Sequence, residues 1–274
     1  MLIEPDKHTV DHFFKSIRRN NYESVEQLIK VYGLVESLDD NEMTGFLVAC
    51  SESNASIVQL LVDNGSDIHS NDEVNATGLT LASERGATEI VELLIKKYNS
   101  DVHKTGFVGR NCFLAAAEGG QLETLKFLHS VNKTLFQATD DNGDTALTLA
   151  CTFGEKATVE WLISELRVNF HETGRFGRNC FLSAACGGKI EIMKYLHTVD
   201  EDLCQARDDD SNTALIIASR YGSKDSVEVL VNLFKADIYE TGFEDQNCFA
   251  AAADRGKRDS LKYLINYEKF CNSL

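Results

Sequence analysis

The sequence has few basic residues, and this shortage excludes several kinds of partner. Its 27 lysines and arginines stand against 43 aspartates and glutamates, which gives a formal net charge of −16. Sequence-independent binding to nucleic acid needs many lysine and arginine contacts to phosphate. An anionic membrane surface attracts the same residues. We therefore expect neither nucleic acid nor a lipid surface to be the partner.

Long apolar runs and secretion signals are also absent. No stretch approaches the roughly 18 consecutive apolar residues that a membrane-spanning helix requires. The first residues, MLIEPDKH, have neither the basic region nor the apolar core of a signal peptide. These absences predict a cytoplasmic protein without membrane insertion, and we expect a monomer.

What the sequence does contain is a repeated segment. NCFLSAACGG from Asn179 is written again as NCFLAAAEGG from Asn111 and as NCFAAAADRG from Asn247. Related segments lie between and before these copies, separated by 33 residues once and by 34 residues five times. The seven segments begin at Thr44, Thr77, Asn111, Thr145, Asn179, Thr213 and Asn247. A fixed period in this range indicates a repeat architecture, in which each unit packs on its neighbours.

Each segment shows the same internal order of residue types. The first residue, Thr or Asn, is a helix N-cap type whose side-chain oxygen accepts from the free amides of the first turn. A large apolar residue follows two positions later, and an alanine stands five positions after the first residue. Because a small side chain recurs at one place in every copy, we expect helices to approach closely there. The alanines are Ala49, Ala82, Ala116, Ala150, Ala184, Ala218 and Ala252.

The remainder of each unit predicts a second helix and a connector. A glycine nine positions after the N-cap ends the first helix in six of the seven segments, with Ser53 as the exception. We predict the left-handed conformation that a C-terminal glycine adopts without strain. Apolar residues at helical spacing then mark a second helix, and polar connectors rich in Asp, Asn and Gly predict turns or hairpins.

These features predict eight repeats in a single domain over residues 1–274. The boundaries are 5–38 for a degenerate N-terminal capping repeat, 39–71, 72–105, 106–139, 140–173, 174–207 and 208–241 for the following repeats, and 242–274 for a C-terminal repeat. A second period is superimposed, because alternate units share Asn-Cys-Phe. A pair of about 68 residues is therefore the unit that we infer to have been duplicated.

The order Thr-x-Leu, Ala, Gly, Val-x-x-Leu and then Gly-Ser-Asp-Ile (65–68) resembles the ankyrin repeat family. The resemblance implies an all-α fold: an ankyrin-repeat solenoid of paired antiparallel helices joined by hairpin-like loops. The family's proline at the first helical position is missing from every unit. Proline is favourable there but not required, so the fold is expected to survive its loss. Its replacements are Gly45, Gly78, Cys112, Ala146, Cys180, Ala214 and Cys248.

No group of residues that breaks the repeat pattern suggests catalysis. There is no glycine-rich phosphate loop, no nucleophile motif and no Cys-x-x-Cys pair. A calcium-binding loop of the EF-hand type needs a carboxylate at its twelfth position, and in a loop whose first position is Asp140 the twelfth is Cys151. We therefore interpret the aspartates around Asp140 and Asp208 as solvated connector residues. We expect no enzyme, no catalytic residue, no metal and no cofactor.

The cysteines and histidines have plain structural interpretations. Cysteines that recur in alternate repeats should lie far apart along a stack, which favours free buried thiols in a reducing compartment over a disulfide framework. His129 and His197 occupy equivalent helix positions and are interpreted as half-buried packing residues. For His69, His103 and His171, the resemblance leaves two interpretations: hydroxylation by an asparaginyl/histidyl hydroxylase, or hydrogen bonds that brace the loop.

The resemblance also implies where a partner binds. In the ankyrin fold the hairpin tips and the exposed side of each first helix line a concave groove that meets protein partners. Aromatic and arginine side chains dominate the energetics of protein interfaces, and they are prominent at these places. The candidate partner-binding residues are Phe107, Arg110, Asp141, Asp144, Phe153, Arg175, Phe176, Arg178, Asp209, Asp210, Arg220, Tyr221 and Phe243.

These candidates are not equivalent. Phe107, Phe176 and Phe243 recur in alternate connectors, so they either brace the loop or contact a partner. Phe153, Arg220 and Tyr221 vary between otherwise matched units, which favours a role in recognition.

We therefore predict a noncatalytic protein–protein interaction module, acting as a scaffold or adaptor. The alternative is the substrate-recognition subunit of a larger assembly, such as a ubiquitin ligase or a host-directed effector. A small-molecule binder or an enzyme is the third hypothesis.

Overall fold

The structure, a computed structural model, describes residues 3–273. Helices joined by turns and loops make up that range. Its sixteen α-helices form eight consecutive pairs, and the described residues contain no β-strand beyond isolated bridges in the connectors. The predicted all-α repeat fold is therefore confirmed. Residues 1, 2 and 274, at the ends of the predicted domain, lie outside the described part. Within residues 3–273, no helix combines the length and apolarity that crossing a membrane requires.

The chain divides into two compact units, the first ending at Asp141 and the second beginning at Asn142. The helices of the first unit are α1 (Lys7–Arg18), α2 (Tyr22–Tyr32), α3 (Gly45–Ser51), α4 (Ala55–Asp63), α5 (Gly78–Glu84), α6 (Thr88–Lys96), α7 (Cys112–Glu118) and α8 (Leu122–Val131). The helices of the second unit are α9 (Ala146–Thr152), α10 (Lys156–Ser164), α11 (Cys180–Gly187), α12 (Ile190–Val199), α13 (Ala214–Tyr221), α14 (Lys224–Asn232), α15 (Cys248–Asp254) and α16 (Arg258–Cys271).

Within each unit, helices of the same kind stack on one another. In the first unit α1, α3, α5 and α7 form one layer, and α2, α4, α6 and α8 form the second. In the second unit α9, α11, α13 and α15 form one layer, and α10, α12, α14 and α16 form the other. Because each helix pair contacts chiefly its neighbours, the core is continuous along each unit and has no single centre.

The predicted N-caps are present at all seven segment starts. Each Thr or Asn side chain accepts a hydrogen bond from the backbone N–H three residues later. The donor–acceptor distances run from 2.9 Å at Asn111 to 3.4 Å at Thr213. Each such cap typically stabilises a helix by about 1 kcal/mol.

The alanine stripe is buried, as predicted. All seven alanines are fully inaccessible to solvent in the layer of first helices. The close approach is clearest one turn further on, at the ends of these helices. A Cβ atom added to Gly187 would lie 1.9 Å from the Thr152 carbonyl oxygen, and one added to Gly119 would lie 2.0 Å from that of Glu84.

The glycine that follows the first helix adopts the predicted left-handed conformation in four units. The φ angles are +73°, +71°, +67° and +65° at Gly86, Gly120, Gly188 and Gly256. Ser53 takes the same conformation, with φ +61°, although it is not a glycine.

The prediction is wrong at two glycines, Gly154 and Gly222. Gly154, which has no positive φ, directly precedes Glu155, the extended N-cap residue of α10. At Gly222 the backbone is extended with φ −73° and ψ −162°. The next residue, Ser223, is the N-cap of α14 and forms a capping box with Ser226. An N-cap needs an extended approach of the chain, and Gly222 supplies it.

Three cysteines that stand in place of the family's proline have a hydrogen-bonding role. The thiols of Cys112, Cys180 and Cys248 lie 3.4, 3.3 and 3.3 Å from the carbonyl oxygens of Val102, Phe170 and Ile238. Burial raises the pKa of Cys112 and Cys248 to about 12, so these thiols stay protonated and can donate. Each one ties the start of a first helix to the preceding connector.

Candidate interaction surface

Three connectors close in the same way before α7, α11 and α15. They span residues 106–110, 174–178 and 242–246, and the first residue donates its N–H to the carbonyl oxygen of the fifth, at 2.7, 2.9 and 3.0 Å. The third residue of each loop has a left-handed backbone, with φ +54°, +60° and +53° at Val108, Phe176 and Glu244. The loops recur every second repeat, in agreement with the predicted two-repeat period.

The phenylalanines of these loops do not occupy one position, which corrects the sequence interpretation. Phe107 and Phe243 are the second residues of their loops, where the middle loop has Arg175. Phe176 is the third residue, at the left-handed position. All three rings are about half exposed, between 47% and 50%. A bracing residue would be covered by its neighbours, so their exposure favours the alternative of contact with a partner.

Two connector aspartates are buried in ion pairs. Asp140 accepts from Arg110 Nε at 3.0 Å, and Asp208 accepts from Arg178 Nε at 3.3 Å. Both carboxylates are fully inaccessible to solvent. Asp208 also accepts from the backbone N–H of Asn212 at 2.9 Å.

The interpretation of these two aspartates as solvated residues was therefore wrong. A carboxylate is tolerated inside a protein when a cation and hydrogen bonds replace its water. The arginine that supplies the cation lies thirty residues earlier, in a neighbouring repeat. Arg110 and Arg178 are thus largely covered and hold connectors together.

Arg110 has a second carboxylate partner, whereas Arg178 has one such partner among the described residues. Glu118, at the end of α7, pairs with Arg110 Nη1. The equivalent residue at the end of α11 is Cys186, whose sulfur lies 3.4 Å from Arg178 Nη1. Burial raises the pKa of the Cys186 thiol despite the adjacent guanidinium. The second unit therefore has one negative charge fewer around this guanidinium.

Glu118 itself should make the first unit less stable as pH rises. Burial raises its carboxyl pKa above the ordinary 4.5, although the charge of Arg110 opposes the shift. A carboxyl whose pKa is raised by folding binds more protons in the folded state, so its contribution to stability falls as pH rises from about 4.5 through the higher folded-state pKa. We expect Glu118→Gln to gain stability relative to the unchanged chain over that window, as measured by urea unfolding at several pH values. A constant difference would contradict this.

A run of alternating arginine and aromatic side chains crosses the second unit. The Cζ atom of Arg175 lies 4.6 Å from the centroid of Phe176, and that of Arg178 lies 5.1 Å from the same ring and 5.5 Å from Tyr221. The Cζ atom of Arg255 lies 5.3 Å from the centroid of the same Tyr221 ring. We call these five residues the arginine–aromatic ladder. It joins the loop 174–178 to the ends of α13 and α15.

Arg220 lies beside the ladder and is incompletely satisfied. Its Nη2 donates to Gln246 Oε1 at 2.7 Å, while its buried Nε has no hydrogen-bond partner among the described residues. A buried donor without a partner costs about 1–3 kcal/mol. A cavity of about 340 Å³ opens here, lined by Arg220, Phe243, Glu244, Gln246, Asp254 and Arg255.

The remaining candidates lie at the surface or brace loops. Asp141, Asp209 and Asp210 are exposed. Asp144 Oδ1 accepts from the backbone N–H of Arg175 at 3.0 Å, so this carboxylate holds the loop 174–178. The ring of Phe153, at the end of α9, is 54% exposed.

Histidines contribute to packing and loop contacts. The ring of His197 packs edge-on against Phe234, with centroids 5.1 Å apart, and His129 packs against Phe136 at 6.1 Å. Among the connector histidines, His103 Nε2 lies 3.1 Å from the amide nitrogen of Asn132. His171 lies 3.5 Å from a carboxylate oxygen of Asp200. These last two contacts favour the bracing interpretation.

The structure thus brings together five of the predicted residues, Arg175, Phe176, Arg178, Arg220 and Tyr221. Sequence reasoning did not commit to Arg255, Gln246 or Cys186, which complete this surface. A signal was present, because Cys186 and Arg255 lie at the end of a first helix, where residue types differ between units. The partners of these residues were not readable, because the contacts join different repeats.

Comparison with known proteins gives a consistent family match. The family model "Ankyrin repeats (3 copies)" matches residues 13–106, 79–173 and 158–242. The chain is 27% identical over 253 residues to "Ankyrin repeat and KH domain-containing protein mask-1" of Caenorhabditis elegans, and 32% identical over 140 residues to "Ankyrin repeat domain-containing protein 63" of Homo sapiens. The matched segments cover 90% and 50% of this chain, but only 9% and 34% of the two relatives.

A third relative and a solved structure extend the comparison. The chain is 26% identical over 233 residues to "Ankyrin repeat domain-containing protein SAT10" of Stachybotrys chartarum, covering 83% of this chain and 12% of that protein. One chain in the solved complex of the Bd0816 predatory endopeptidase from Bdellovibrio bacteriovorus with immunity protein Bd3460 aligns with a TM-score of 0.54 and 25% identity. That alignment covers 72% of this chain and 99% of the other.

Proposed function

The chain belongs to the ankyrin repeat family, and from this premise we propose that it is a noncatalytic module that binds a protein partner. The binding surface is formed by loop tips and first-helix ends of the second unit. The observation that carries the proposal is the arginine–aromatic ladder with Arg220 beside it, and the exposed ring of Phe153 lies at the end of α9 in the same unit. Half-exposed aromatic rings beside arginines are the side chains from which protein interface hot spots are built.

The role of scaffold or adaptor is the simplest form of this proposal. It requires no catalytic residue, and the most unusual side chains of the surface are arginines and aromatic rings, which bind rather than react. The solved structure is a complex of an endopeptidase with an immunity protein, which supports a protein as the partner. A cytoplasmic monomer and a single domain over residues 1–274 stay predictions.

A second proposal is the recognition part of a larger assembly. The chain spans between 9% and 34% of the length of the three relatives described above, so related repeats occur within longer proteins. In such proteins a repeat array can select a target for a function that lies elsewhere in the chain.

We expect simultaneous replacement of Phe153, Arg220 and Tyr221 by alanine to abolish capture of the protein's main partner. Truncating hot-spot residues typically costs 2 kcal/mol or more each, which corresponds to roughly thirtyfold in affinity. The measurement is quantitative affinity capture from cells that produce the protein, comparing the triple variant with the unchanged chain.

Tyr22→Ala is the matched control for this experiment. Tyr22 is similarly exposed but lies on α2 of the first unit, which contributes no residue to the proposed surface. Its replacement should leave capture unchanged, and circular dichroism should show that all variants are folded. The proposal is wrong if no partner is specific to the unchanged chain, or if the triple variant retains the same partner at the same yield.

A further inference from the structure

The charge of the ladder identifies the chemistry of the partner, on the premise that the proposed function is correct. We propose that the arginine–aromatic ladder and Arg220 bind an acidic, extended segment of a partner protein. Carboxylates of that segment contact Arg178 beside Cys186 and pair with Arg175, Arg220 and Arg255. Its apolar side chains pack on Phe176 and Tyr221.

The first argument is that these guanidinium groups lack internal anions. Arg175, Arg220 and Arg255 form no ion pair with any carboxylate in residues 3–273. Glu244 and Asp254 line the cavity beside Arg220, yet neither approaches it or Arg255 within ion-pair distance. This surface therefore retains positive charge that a partner can neutralise.

The second argument is an internal comparison between equivalent loops. In the first unit, two carboxylates, Glu118 and Asp140, surround Arg110. In the second unit, Asp208 is the one carboxylate paired with Arg178 among the described residues, because Cys186 stands where Glu118 stands. The same kind of loop thus occurs once with two carboxylates around its arginine and once with one. A carboxylate from outside can make with Arg178 the second contact that Glu118 makes with Arg110.

The third argument is the geometry of the aromatic rings. The guanidinium of Arg178 lies between the rings of Phe176 and Tyr221, and Arg255 lies against Tyr221. Such stacking uses the faces of the guanidinium groups, so N–H groups at their edges can still donate. The rings themselves are 47% and 40% exposed. Charged and apolar contacts alternate from the loop 174–178 to the end of α15, which suits an extended peptide.

Cys186→Glu tests this inference from inside the protein. The new carboxylate reproduces the arrangement of Glu118 and supplies the missing charge, so it competes with an acidic ligand. Cys186→Gln is the matched control of equal size without the charge. Arg220→Gln with Arg255→Gln is a second variant that removes cations from the surface without touching α11.

The experiment selects binders from a displayed library of random peptides, with the whole chain as bait. Selected peptides are then measured by fluorescence polarisation against each variant. We expect enrichment of sequences rich in Asp and Glu, with affinity reduced roughly ten- to hundredfold by Cys186→Glu and by the double arginine variant, and unchanged by Cys186→Gln. Thermal melts must show that each variant is folded.

Other outcomes separate this inference from the proposed function. Enrichment of neutral or basic peptides that lose affinity on Tyr221→Ala would overturn the acidic partner and leave a protein-binding surface in place. Selection of no peptide, or of peptides insensitive to every variant, would overturn the acidic segment, and the capture experiment with the triple variant decides the proposed function independently. Labelled single-stranded oligonucleotides form a separate arm, and tight binding that depends on Arg220 would show that the surface takes phosphate and would overturn a peptide partner.

Discussion

Asp208→Ala is expected to lower the free energy of unfolding by about 3–5 kcal/mol, because it removes one partner of a buried ion pair. Arg178, whose side chain is 13% exposed in the unchanged chain, would be left with no carboxylate on it among the described residues. The backbone N–H groups of Asp210 and Asn212 would lose their acceptor as well. Urea unfolding followed by circular dichroism measures the loss.

The run of three aspartates provides its own control. Asp210 is exposed and contributes only its backbone N–H to the carboxylate of Asp208, so Asp210→Ala should change stability by less than about 0.5 kcal/mol. Asp208→Asn keeps an acceptor but loses the charge, and its effect should lie between the two. Equal effects of Asp208→Ala and Asp210→Ala would show that the buried pair does not stabilise the connector.

Ala184→Leu is expected to destabilise the second unit by about 1–3 kcal/mol, because it overpacks the layer of first helices. Ala184 is completely buried on α11, which is stacked between α9 and α13. Nearby, at the end of α11, a Cβ atom at Gly187 would already meet backbone. The layer therefore has little room to move apart and accept a larger side chain.

Ala253→Leu makes the same chemical change at an exposed position of the first helix α15. Alanine and leucine have similar helix propensities, so this control should lie within about 0.5 kcal/mol of the unchanged chain. Thermal and urea unfolding of the two variants, measured side by side, decide the matter. If Ala184→Leu were as stable as the control, the alanine stripe would not mark a close contact between helices.

Much of the fold was predictable because its determinants are local. The seven N-caps act on an amide three residues away, and the terminating glycines act within one turn. The failure at Gly222 is also local, because Ser223 competes for the same turn as an N-cap. Its signal was readable in principle, since Ser223 and Ser226 have the spacing of a capping box.

The candidate site was predictable only in part, because its contacts join residues of different repeats. Residue type marked Arg178 and Tyr221 as candidates, but not that the guanidinium stacks on that ring. Asp140 and Asp208 looked solvated because a connector rich in Asp and Gly usually faces water. The arginines that pair with them lie thirty residues earlier in the chain. Sequence patterns carry no information about pairing over that separation.

The sequence by itself determined the repeat, its period, its capping residues and the positions of its core, because a 34-residue unit carries its own helix signals and must bury one face on the next copy. The tertiary structure alone decided which charges remain free. Among the described residues, Arg110 pairs with two carboxylates and Arg178 with one, although both arginines end the same kind of loop. The reason is physical: ion pairing depends on distances of a few ångströms between stacked repeats, and those distances exist only after the helices have packed.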